Sequence, residues 1–247
     1  MHELASLPPH LPLDGYYASE EERRRFLGRV FDRTARSYDR ISSLLSLGTG
    51  ELYRTFALRH GGLRPGTRIL DVATGTGLVA RAAARLAGPG GSVVGLDPSV
   101  GMLSCARERG RLRLAQGLAE RLPFRDASFD FLSMGYALRH VADLPSTFAE
   151  YRRVLRPGGK LLILDFARPR GAVAYGLVRL FLRTVVPLMS RLLAGGAEAE
   201  LLMRYCWDTV DQSVSPARIR PALVAAGFQA VEVRTWAGLF AEYHALR

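Results

Sequence analysis

Apolar residues follow two different periods along the chain. From Ser19 to about residue 62 they recur at helical spacing, as at Phe26 and Val30, and Ser19 followed by three glutamates has the form of a helix start. A second helical stretch covers 52–60 and ends at a pair of glycines. From Thr67 onward, short apolar runs alternate with helical segments. The pattern predicts N-terminal helices followed by an α/β unit.

The α/β unit is predicted as buried strands separated by helices. The strands cover 68–72, 92–97, 113–117, 129–134 and 160–166, and the helices cover 78–86, 100–109 and 144–155. A helical insertion over 172–203, a helix over 216–226 and a strand pair over 229–235 and 238–246 follow. Strands alternating with helices form a largely parallel sheet, so we expect a doubly wound α/β fold.

The same pattern predicts one domain. Residues 1–18 are rich in proline and are expected to form a flexible tail, and residues 19–247 form the domain. Within it, 19–62 form an N-terminal helical cap and 172–204 a second helical cap over the substrate.

Composition limits the partners. Two cysteines, Cys105 and Cys206, exclude a disulfide framework and a cysteine-based metal site, so we expect no metal and a reduced, cytoplasmic setting. The net charge of +11 favours an anionic partner, either a nucleic acid or a membrane surface. The arginines are spread along the chain without a basic run interleaved with aromatics, so no nucleic-acid partner is expected.

The N-terminal segment lacks the basic and apolar regions of a signal peptide. The longest apolar segment, 172–194, is interrupted by Arg179, Arg183 and Arg191 and falls short of an uninterrupted membrane span. Three interpretations of it stay open. It covers a prenylated substrate, it lies along an anionic membrane such as the inner membrane, or it is a core-packing helix pair whose arginines extend to water.

A glycine-containing loop after the first predicted strand is the strongest functional signal. That strand carries Asp71 just before the loop, and Thr74-Gly75-Thr76-Gly77 follow before a helix begins. Glycines permit the tight turn and close approach of a ligand to the backbone, and the two threonines can add hydroxyl contacts. Asp97, which precedes Pro98 at the end of the second strand, is placed to accept hydrogen bonds from a ribose.

The acid before the loop distinguishes between ligands. A carboxylate at Asp71 would repel a pyrophosphate, whereas it suits the cationic amino group of S-adenosylmethionine (SAM). The residues therefore favour SAM over a dinucleotide.

Several further motifs occur in one order along the chain: Val30-Phe31-Asp32 with Tyr38-Asp39, Ile69 to Gly77, Leu122-Pro123-Phe124 with Phe129-Asp130, Leu138-Arg139-His140, and Val154 to Gly159. Together they resemble the ubiquinone/menaquinone biosynthesis C-methyltransferase (UbiE/MenG) family over roughly residues 27–170. At Leu118, Gly135 and His140 the chain departs from the family pattern.

The resemblance implies a Rossmann-like, seven-stranded class I methyltransferase fold with N-terminal helices and a helical insertion after strand five. It also implies that SAM is the cofactor and S-adenosylhomocysteine its product. The methionine part would lie near the loop, the ribose near Asp97 and the adenine near Met102. The full set of predicted cofactor-binding residues is Asp71, Thr74, Gly75, Thr76, Gly77, Asp97, Pro98, Met102, Ala119, Glu120 and Gly135.

Three residues are candidates for catalysis. Methyl transfer mainly requires alignment of the reactants and exclusion of water, and an aromatic carbon needs a neighbouring oxygen that loses its proton. Arg139 could stabilise that oxyanion, His140 could take the proton, and Tyr38 could close over the cofactor. A purely structural His140 is an equally open alternative.

The predicted function is SAM-dependent C-methylation of a quinol or related small aromatic, which can be prenylated. Alternatives are an O- or N-methyltransferase of another small molecule, such as a natural product or a phospholipid. A nucleic-acid methyltransferase and a non-catalytic SAM-binding protein are more distant alternatives. An oligomer formed through the apolar cap also stays open.

Overall fold

The computed structural model describes residues 6–11, 13, 15–169, 171–192, 196–236 and 238–247. Its strands are β1 Arg68–Val72, β2 Ser92–Asp97, β3 Arg113–Gln116, β4 Phe129–Gly135, β5 Leu155–Phe166, β6 Gln229–Trp236 and β7 Phe240–Leu246. Its helices are α1 Glu20–Thr34, α2 Tyr38–Leu45, α3 Gly50–His60, α4 Leu78–Ala87, α5 Val100–Glu108, α6 Leu144–Val154, α7 Ala172–Leu180, α8 Val186–Ser190, α9 Gly196–Asp211 and α10 Pro216–Ala225.

The strands form one seven-stranded sheet in the order β3-β2-β1-β4-β5-β7-β6. β1 to β5 run parallel to one another, whereas β7 is antiparallel to both β5 and β6. The central strand β1 is buried along its last four residues because helices cover both faces of the sheet. The predicted Rossmann-like α/β fold is confirmed. Its carboxyl edge, where β1, β2 and β4 end, is where open α/β sheets bind ligands.

Two elements differ from the pattern-based expectation. Helix α2 was not predicted, since it is short and buries only Ile41. Strand β5 begins at Leu155, five residues earlier than expected, because Leu155 pairs with Phe129 of β4. Helix α6 ends at Val154, just before the Arg156–Gly159 segment, in which Gly158 has a positive φ of 75° and its amide donates to the carbonyl of Arg247 at 3.0 Å.

The described part of the predicted flexible tail packs against the domain. The amide of Leu7 donates to the Asp143 carboxylate at 2.8 Å, and the amide of Val214 donates to the carbonyl of Pro9 at 2.8 Å. Leu13 is buried against the aromatic cluster around Phe26 and Tyr205. Residues 1–5, 12 and 14 of that segment lie outside the described residues. The described part of the segment is thus anchored by hydrogen bonds to distant residues, which its own composition does not encode.

Helix α1 lies directly on the start of helix α5. The Asp32 carboxylate accepts hydrogen bonds from the Ser99 hydroxyl and, at 2.9 Å, from the amide of Gly101. A Cβ atom at Gly101 would lie only 2.9 Å from the Cα atom and the carbonyl oxygen of Asp32. The glycine therefore permits the close approach that fixes α1 beside the carboxyl edge of the sheet.

We expect Gly101→Ala to destabilise the protein by about 1–3 kcal/mol, because the added methyl group must push backbone rather than a flexible side chain. The measurement is chemical denaturation followed by circular dichroism. Gly176→Ala is the matched control, since a Cβ at Gly176 on helix α7 meets nothing within 4 Å. That control should be neutral or slightly stabilising. Equal stability of the two variants would show that the contact between α1 and α5 carries no strain.

The predicted substrate cap is a set of helices on one side of the carboxyl edge of the sheet. Helices α7 and α8 join through a π-helical turn, Phe181–Val185, and residues 193–195 of the predicted cap lie outside the described residues. The run Ala172–Ser190 is the one helix in the described chain with the length and mean hydropathy, 1.5, to cross a membrane. Only 11% of it is buried, so most of its apolar surface faces outward.

Candidate functional site

The loop between β1 and α4 is built from strained backbone conformations. Ala73, Gly75 and Gly77 all have positive φ angles, 53°, 56° and 87°. The amide of Thr74 donates to the carbonyl of Leu96 at 2.9 Å, which fixes the loop against the end of β2. Glycine at two of the three positions lowers the cost of this path. The loop therefore brings its backbone to the carboxyl edge of the sheet.

Asp71 lies behind this loop and supports it. Its carboxylate accepts hydrogen bonds from the Thr74 and Ser133 hydroxyls, both at 2.6 Å, and it is 1% exposed. Burial raises the pKa of Asp71 to about 6, and the two hydroxyl groups oppose that rise. The Asp71 carboxylate is thus buried beneath the loop, and each of its oxygens accepts a hydrogen bond from a hydroxyl group.

Asp97 lies in the wall itself. One carboxylate oxygen accepts from the amide of Gly75 at 2.7 Å, and the other accepts from the amide of Ser99 at 2.9 Å. Burial raises the pKa of Asp97 to about 6, although the two amides favour the ionised form. Each oxygen keeps a further lone pair for a ligand hydroxyl. This arrangement suits a ribose diol.

The N-terminal helices are tied to the same loop by a second carboxylate. Asp39 accepts a hydrogen bond from the Thr76 hydroxyl and forms ion pairs with Arg109, at 3.0 Å, and Arg81, at 3.6 Å. Tyr38, the preceding residue, is thereby held over the site. These contacts give a physical reason for the Tyr38-Asp39 motif, which the sequence indicated without explaining.

A cavity of about 430 Å³ lies between the loop, α1 and the carboxyl ends of β2 and β4. Of the predicted cofactor-binding residues, Gly75, Asp97, Pro98, Met102, Ala119, Glu120 and Gly135 line it. Thr74, Thr76 and Gly77 shape the loop without lining the cavity. Gly135 has no room for a side chain, since its Cβ would lie 2.8 Å from Val79. We refer to this space as the cofactor cavity.

The residues present fit SAM. Asp97 can accept the ribose hydroxyls, and Leu96, Met102 and Leu118 offer apolar surface to an adenine ring. The open backbone at Gly75 can approach the methionine part. Acidic and apolar groups with a positive-φ loop form a site for a cationic nucleoside, so the chemistry of the wall agrees with the predicted cofactor.

A second, smaller cavity of about 60 Å³ lies next to it under the helical cap. Its walls are mainly apolar and aromatic, with two arginines: Tyr38, Ile41, Ser42, Leu45, Ser46, Arg54, Tyr136, Arg139, Phe166, Leu182, Met203, Cys206, Trp207, Val210 and Phe240. Tyr38 and Tyr136 line both cavities. We refer to this second space as the acceptor cavity, because a methyl acceptor must lie next to the donor.

Arg139 lines the acceptor cavity, and residues outside the cavity fix its side chain. Its guanidinium forms a buried ion pair with Asp165 and donates to the Thr209 hydroxyl at 3.1 Å. Its central carbon lies 5.4 Å from the centre of the Phe166 ring. The side chain is therefore fixed in one orientation by groups from β5 and α9.

His140 lines the cofactor cavity and is not among the residues that line the acceptor cavity. Its ring stacks on Tyr205 with centres 5.6 Å apart, and its buried Nδ1 has no hydrogen-bond partner among the described residues. Burial, reinforced by the positive charge of Arg139, holds the pKa of His140 well below its usual value. The imidazole is neutral at pH 7, and so low a pKa makes it a weak proton acceptor.

Two functional candidates were missed by sequence reasoning. Tyr136 follows Gly135 at the end of β4 and has a positive φ of 60°, which is uncommon for a bulky residue and typical of functional sites. Arg54 lies on α3 and joins the acceptor cavity from a distant part of the chain. Because Tyr136 lies just after the end of a predicted strand, the sequence could have indicated that it lies at the ligand-binding edge of the sheet. Arg54 sits in an ordinary helical pattern and offered none.

Comparison with known proteins agrees with this geometry. The ubiE/COQ5 methyltransferase family matches residues 17–246. The chain belongs to the ubiE/COQ5 methyltransferase family. Within this family it is 33% identical over 213 residues to the ubiquinone/menaquinone biosynthesis C-methyltransferase UbiE of Hahella chejuensis, covering 83% of this chain and 84% of the relative. It is 31% identical over 232 residues to the UbiE of Pseudomonas paraeruginosa, covering 91% and 90%.

Solved structures share the fold of this ubiE/COQ5 member. A SAM-dependent methyltransferase from Thermotoga maritima superposes with a TM-score of 0.62 at 21% identity, covering 89% of this chain and 98% of that one. Phosphoethanolamine N-methyltransferase 2 of Haemonchus contortus, in complex with SAM, superposes with a TM-score of 0.63 at 20% identity, covering 94% of this chain and 60% of that one. The chain is a SAM-dependent methyltransferase, as the sequence predicted.

The raised pKa values of Asp71 and Asp97 make SAM binding depend on pH. Both carboxyls have pKa values of about 6, so they ionise as the pH rises through 6. SAM is cationic and prefers the ionised site. Each carboxyl that must be ionised for binding lowers the affinity by up to about tenfold per pH unit below pH 6, so two give a fall of up to about a hundredfold per pH unit, and the affinity should be constant above pH 7.

Calorimetric titration with SAM between pH 5 and 8 measures this dependence, and circular dichroism checks that the fold persists. The unliganded protein should show the opposite trend: its stability falls as the pH rises from about 4 to 6, because the folded state binds more protons than the unfolded one. A SAM affinity that stays level from pH 5 to 8 would contradict the idea that SAM binding requires Asp71 and Asp97 to be ionised.

Proposed function

We propose that this enzyme transfers a methyl group to a ring carbon of a quinol or related hydroxylated aromatic that carries an apolar side chain. The single observation that carries the proposal is the acceptor cavity, in which an apolar, aromatic wall surrounds two arginines. Its relatives named as ubiquinone/menaquinone biosynthesis C-methyltransferases support the same acceptor class.

The cavity wall offers each part of such an acceptor a partner. Ring and side-chain surface would pack on Phe166, Trp207 and Met203, and a ring oxygen would meet a guanidinium. SAM supplies the activated methyl group when bound. Tyr38 and Tyr136, which line both cavities, orient the acceptor and exclude water, and Arg139 stabilises negative charge on the ring oxygen. His140 positions the cofactor side of the site.

The charges in the acceptor cavity favour this acceptor over an amine. Its two charged lining residues are arginines, and the nearby Asp165 carboxylate is engaged by Arg139. A cationic amine would be repelled in such a space. N-methylation of a simple cationic amine is therefore disfavoured by the wall residues.

The acceptor cavity must widen for the ring to enter. Its volume of about 60 Å³ is smaller than the roughly 150 Å³ cavity that accommodates benzene in an engineered protein. Leu182, one of its lining residues, lies in the π-helical turn of the cap. Such turns are irregular segments often found at functional sites, so we assign the opening movement to this part of the cap.

The test is incubation with methyl-labelled SAM and four acceptors: a short-chain prenylated hydroquinone that lacks the ring methyl group, a simple phenol, an aromatic amine and phosphoethanolamine. We expect transfer to the hydroquinone, with the label on a ring carbon by NMR. Transfer only to oxygen, or only to either nitrogen acceptor, would reject the proposal.

We also propose that the cap formed by α7 and α8 lies on an anionic membrane surface. A prenylated acceptor would be dissolved in that membrane. The enzyme would then be a cytoplasmic protein peripheral to the membrane. Val173, Leu177, Leu180 and Leu188 form an exposed apolar stripe along α7 and α8, from 54% to 77% exposed. Arg179 and Arg183 flank the stripe and suit anionic headgroups. The opposite face, with Leu182 and Val186, is packed on the domain, so this helix lies along a membrane instead of crossing it.

Cosedimentation with vesicles tests this contact. We expect binding to vesicles with 30% anionic lipid, weaker binding to neutral vesicles, and loss of binding in Leu177→Glu/Leu180→Glu. Leu52→Glu on α3, where the side chain is 75% exposed away from the cap, is the matched control. Equal binding of wild type and the double variant would refute the proposal. Concentration-dependent self-association by the wild type alone would assign the stripe to a second copy instead.

A further inference from the structure

The acceptor cavity contains one arginine that forms a direct ion pair and one, Arg54, that does not, although the positive charge of Arg54 opposes the rise in the pKa of the Asp71 carboxyl. Arg139 is paired with Asp165. Arg54 is 93% buried, being 7% exposed, and within the described part of the chain it has neither an ion-pair partner nor a hydrogen-bond partner. An unpaired buried charge costs free energy, so a protein retains one where a ligand supplies the opposite charge.

The surroundings of Arg54 direct it into the site. Gly50 lies four residues earlier on α3. A Cβ atom at this position would lie only 3.1 Å from a terminal nitrogen of Arg54, so the glycine leaves room for the guanidinium. Burial raises the pKa of Tyr136, and the positive charge of Arg54 is the strongest influence that opposes this rise. Arg54 is therefore close to Tyr136, one of the two tyrosines between the cofactor cavity and the acceptor cavity.

We propose that Arg54 binds an anionic oxygen on the ring of the methyl acceptor, so that the acceptor is held as an oxyanion in an otherwise apolar cavity. This inference rests on the proposed function for the aromatic nature of the acceptor. The ring oxyanion is either a deprotonated hydroxyl or a carboxylate, and both have the chemistry that a guanidinium recognises. Arg54 then supplies the charge that Arg139, already paired, supplies only in part.

The stability of the variants distinguishes ligand binding from a structural role. Arg54→Met removes an unpaired buried charge and keeps much of the side-chain volume, so the unfolding midpoint should stay the same or rise. Acceptor affinity should fall about 10- to 100-fold, the range for loss of a charged hydrogen bond. Arg54→Lys keeps the charge and should lie within about tenfold of the wild type.

The binding experiment uses calorimetry on protein saturated with S-adenosylhomocysteine. Its probes are a prenylated hydroquinone, its dimethyl ether, which cannot ionise, and a prenylated 4-hydroxybenzoate. Arg54→Met should lose affinity for whichever ionisable probe binds the wild type and keep its affinity for the ether. Its affinity for S-adenosylhomocysteine should be unchanged. Arg59→Met is the matched control, an exposed arginine on the same helix.

Each outcome decides between the inference and its alternatives. Loss of hydroquinone affinity alone assigns a ring hydroxyl, and loss of hydroxybenzoate affinity alone assigns a ring carboxylate. Equal weakening of the ether, or unchanged binding of every probe, would overturn the role of Arg54. A wild type that binds and methylates hydroquinone while Arg54→Met does so equally well rejects this inference alone. A wild type that methylates only an amine rejects the proposed function.

Discussion

Replacing Asp97 with asparagine should weaken SAM binding about 10- to 100-fold while the fold stays intact. The two carboxylate oxygens accept from the amides of Gly75 and Ser99, and asparagine has one acceptor oxygen for these two donors. Its amide group would face a backbone amide, so a loop hydrogen bond is lost together with the negative charge. Loss of a hydrogen bond to a charged group corresponds to that range of affinity.

Calorimetry with SAM and with S-adenosylhomocysteine measures the effect of Asp97→Asn. Both ligands should weaken, because both carry the ribose, and the pH dependence between 5 and 7 should become shallower. Asp126→Asn is the matched control, since its side chain is 74% exposed in a surface ion pair with Arg153. A change of less than twofold in either affinity would mean that the ribose is held elsewhere.

The largest effect on stability is expected for Arg139→Met. The guanidinium is buried against Asp165, and removing it leaves a carboxylate that is 5% exposed without its partner. Breaking a buried ion pair from one side costs about 3–5 kcal/mol. Burial already raises the pKa of Asp165, and without Arg139 the carboxyl should bind a proton on folding, which recovers part of the loss at low pH.

Chemical denaturation of four proteins separates the structural role of Arg139 from its catalytic role: wild type, Arg139→Met, Asp165→Asn and the double variant. We expect the double variant to regain most of the stability, because no unpaired charge remains, but not methyl transfer. Arg68→Met removes the half-exposed partner of Asp130, which Arg156 still pairs with, so it should cost far less stability than Arg139→Met. A double variant with near wild-type turnover would show that Arg139 has no part in catalysis.

Local pattern sufficed for most of the helices and strands, though not for α2 or the start of β5, and for the glycine loop after β1. Strands β1, β2 and β4 are largely buried, so each is a mainly apolar segment with few polar residues. The loop requires positive φ angles, and glycine marks two of those positions in the sequence. Asp97 was predictable because a strand end fixes its place at the sheet edge.

The role of each acid was decided by the tertiary structure. Asp71 and Asp97 have the same kind of position in the sequence. Each lies at the carboxyl end of a strand, and the two strands are neighbours in the sheet. Ser133, from a strand that follows 62 residues later, takes one oxygen of Asp71 and turns that carboxylate into a support for the loop. The sequence could not rank the two acids, because hydrogen bonds between distant residues decide which one faces the cavity.

By itself, the sequence determined the doubly wound sheet, the glycine turn after its first strand and the family to which the chain belongs, since each depends on short segments with their own pattern. The tertiary structure alone decided the acceptor cavity. Its walls come from residues between Tyr38 and Phe240, brought together by packing of the caps on the sheet. Arg54 is a candidate anion-binding residue only in the folded protein, because it is buried there without a direct ion-pair partner among the described residues.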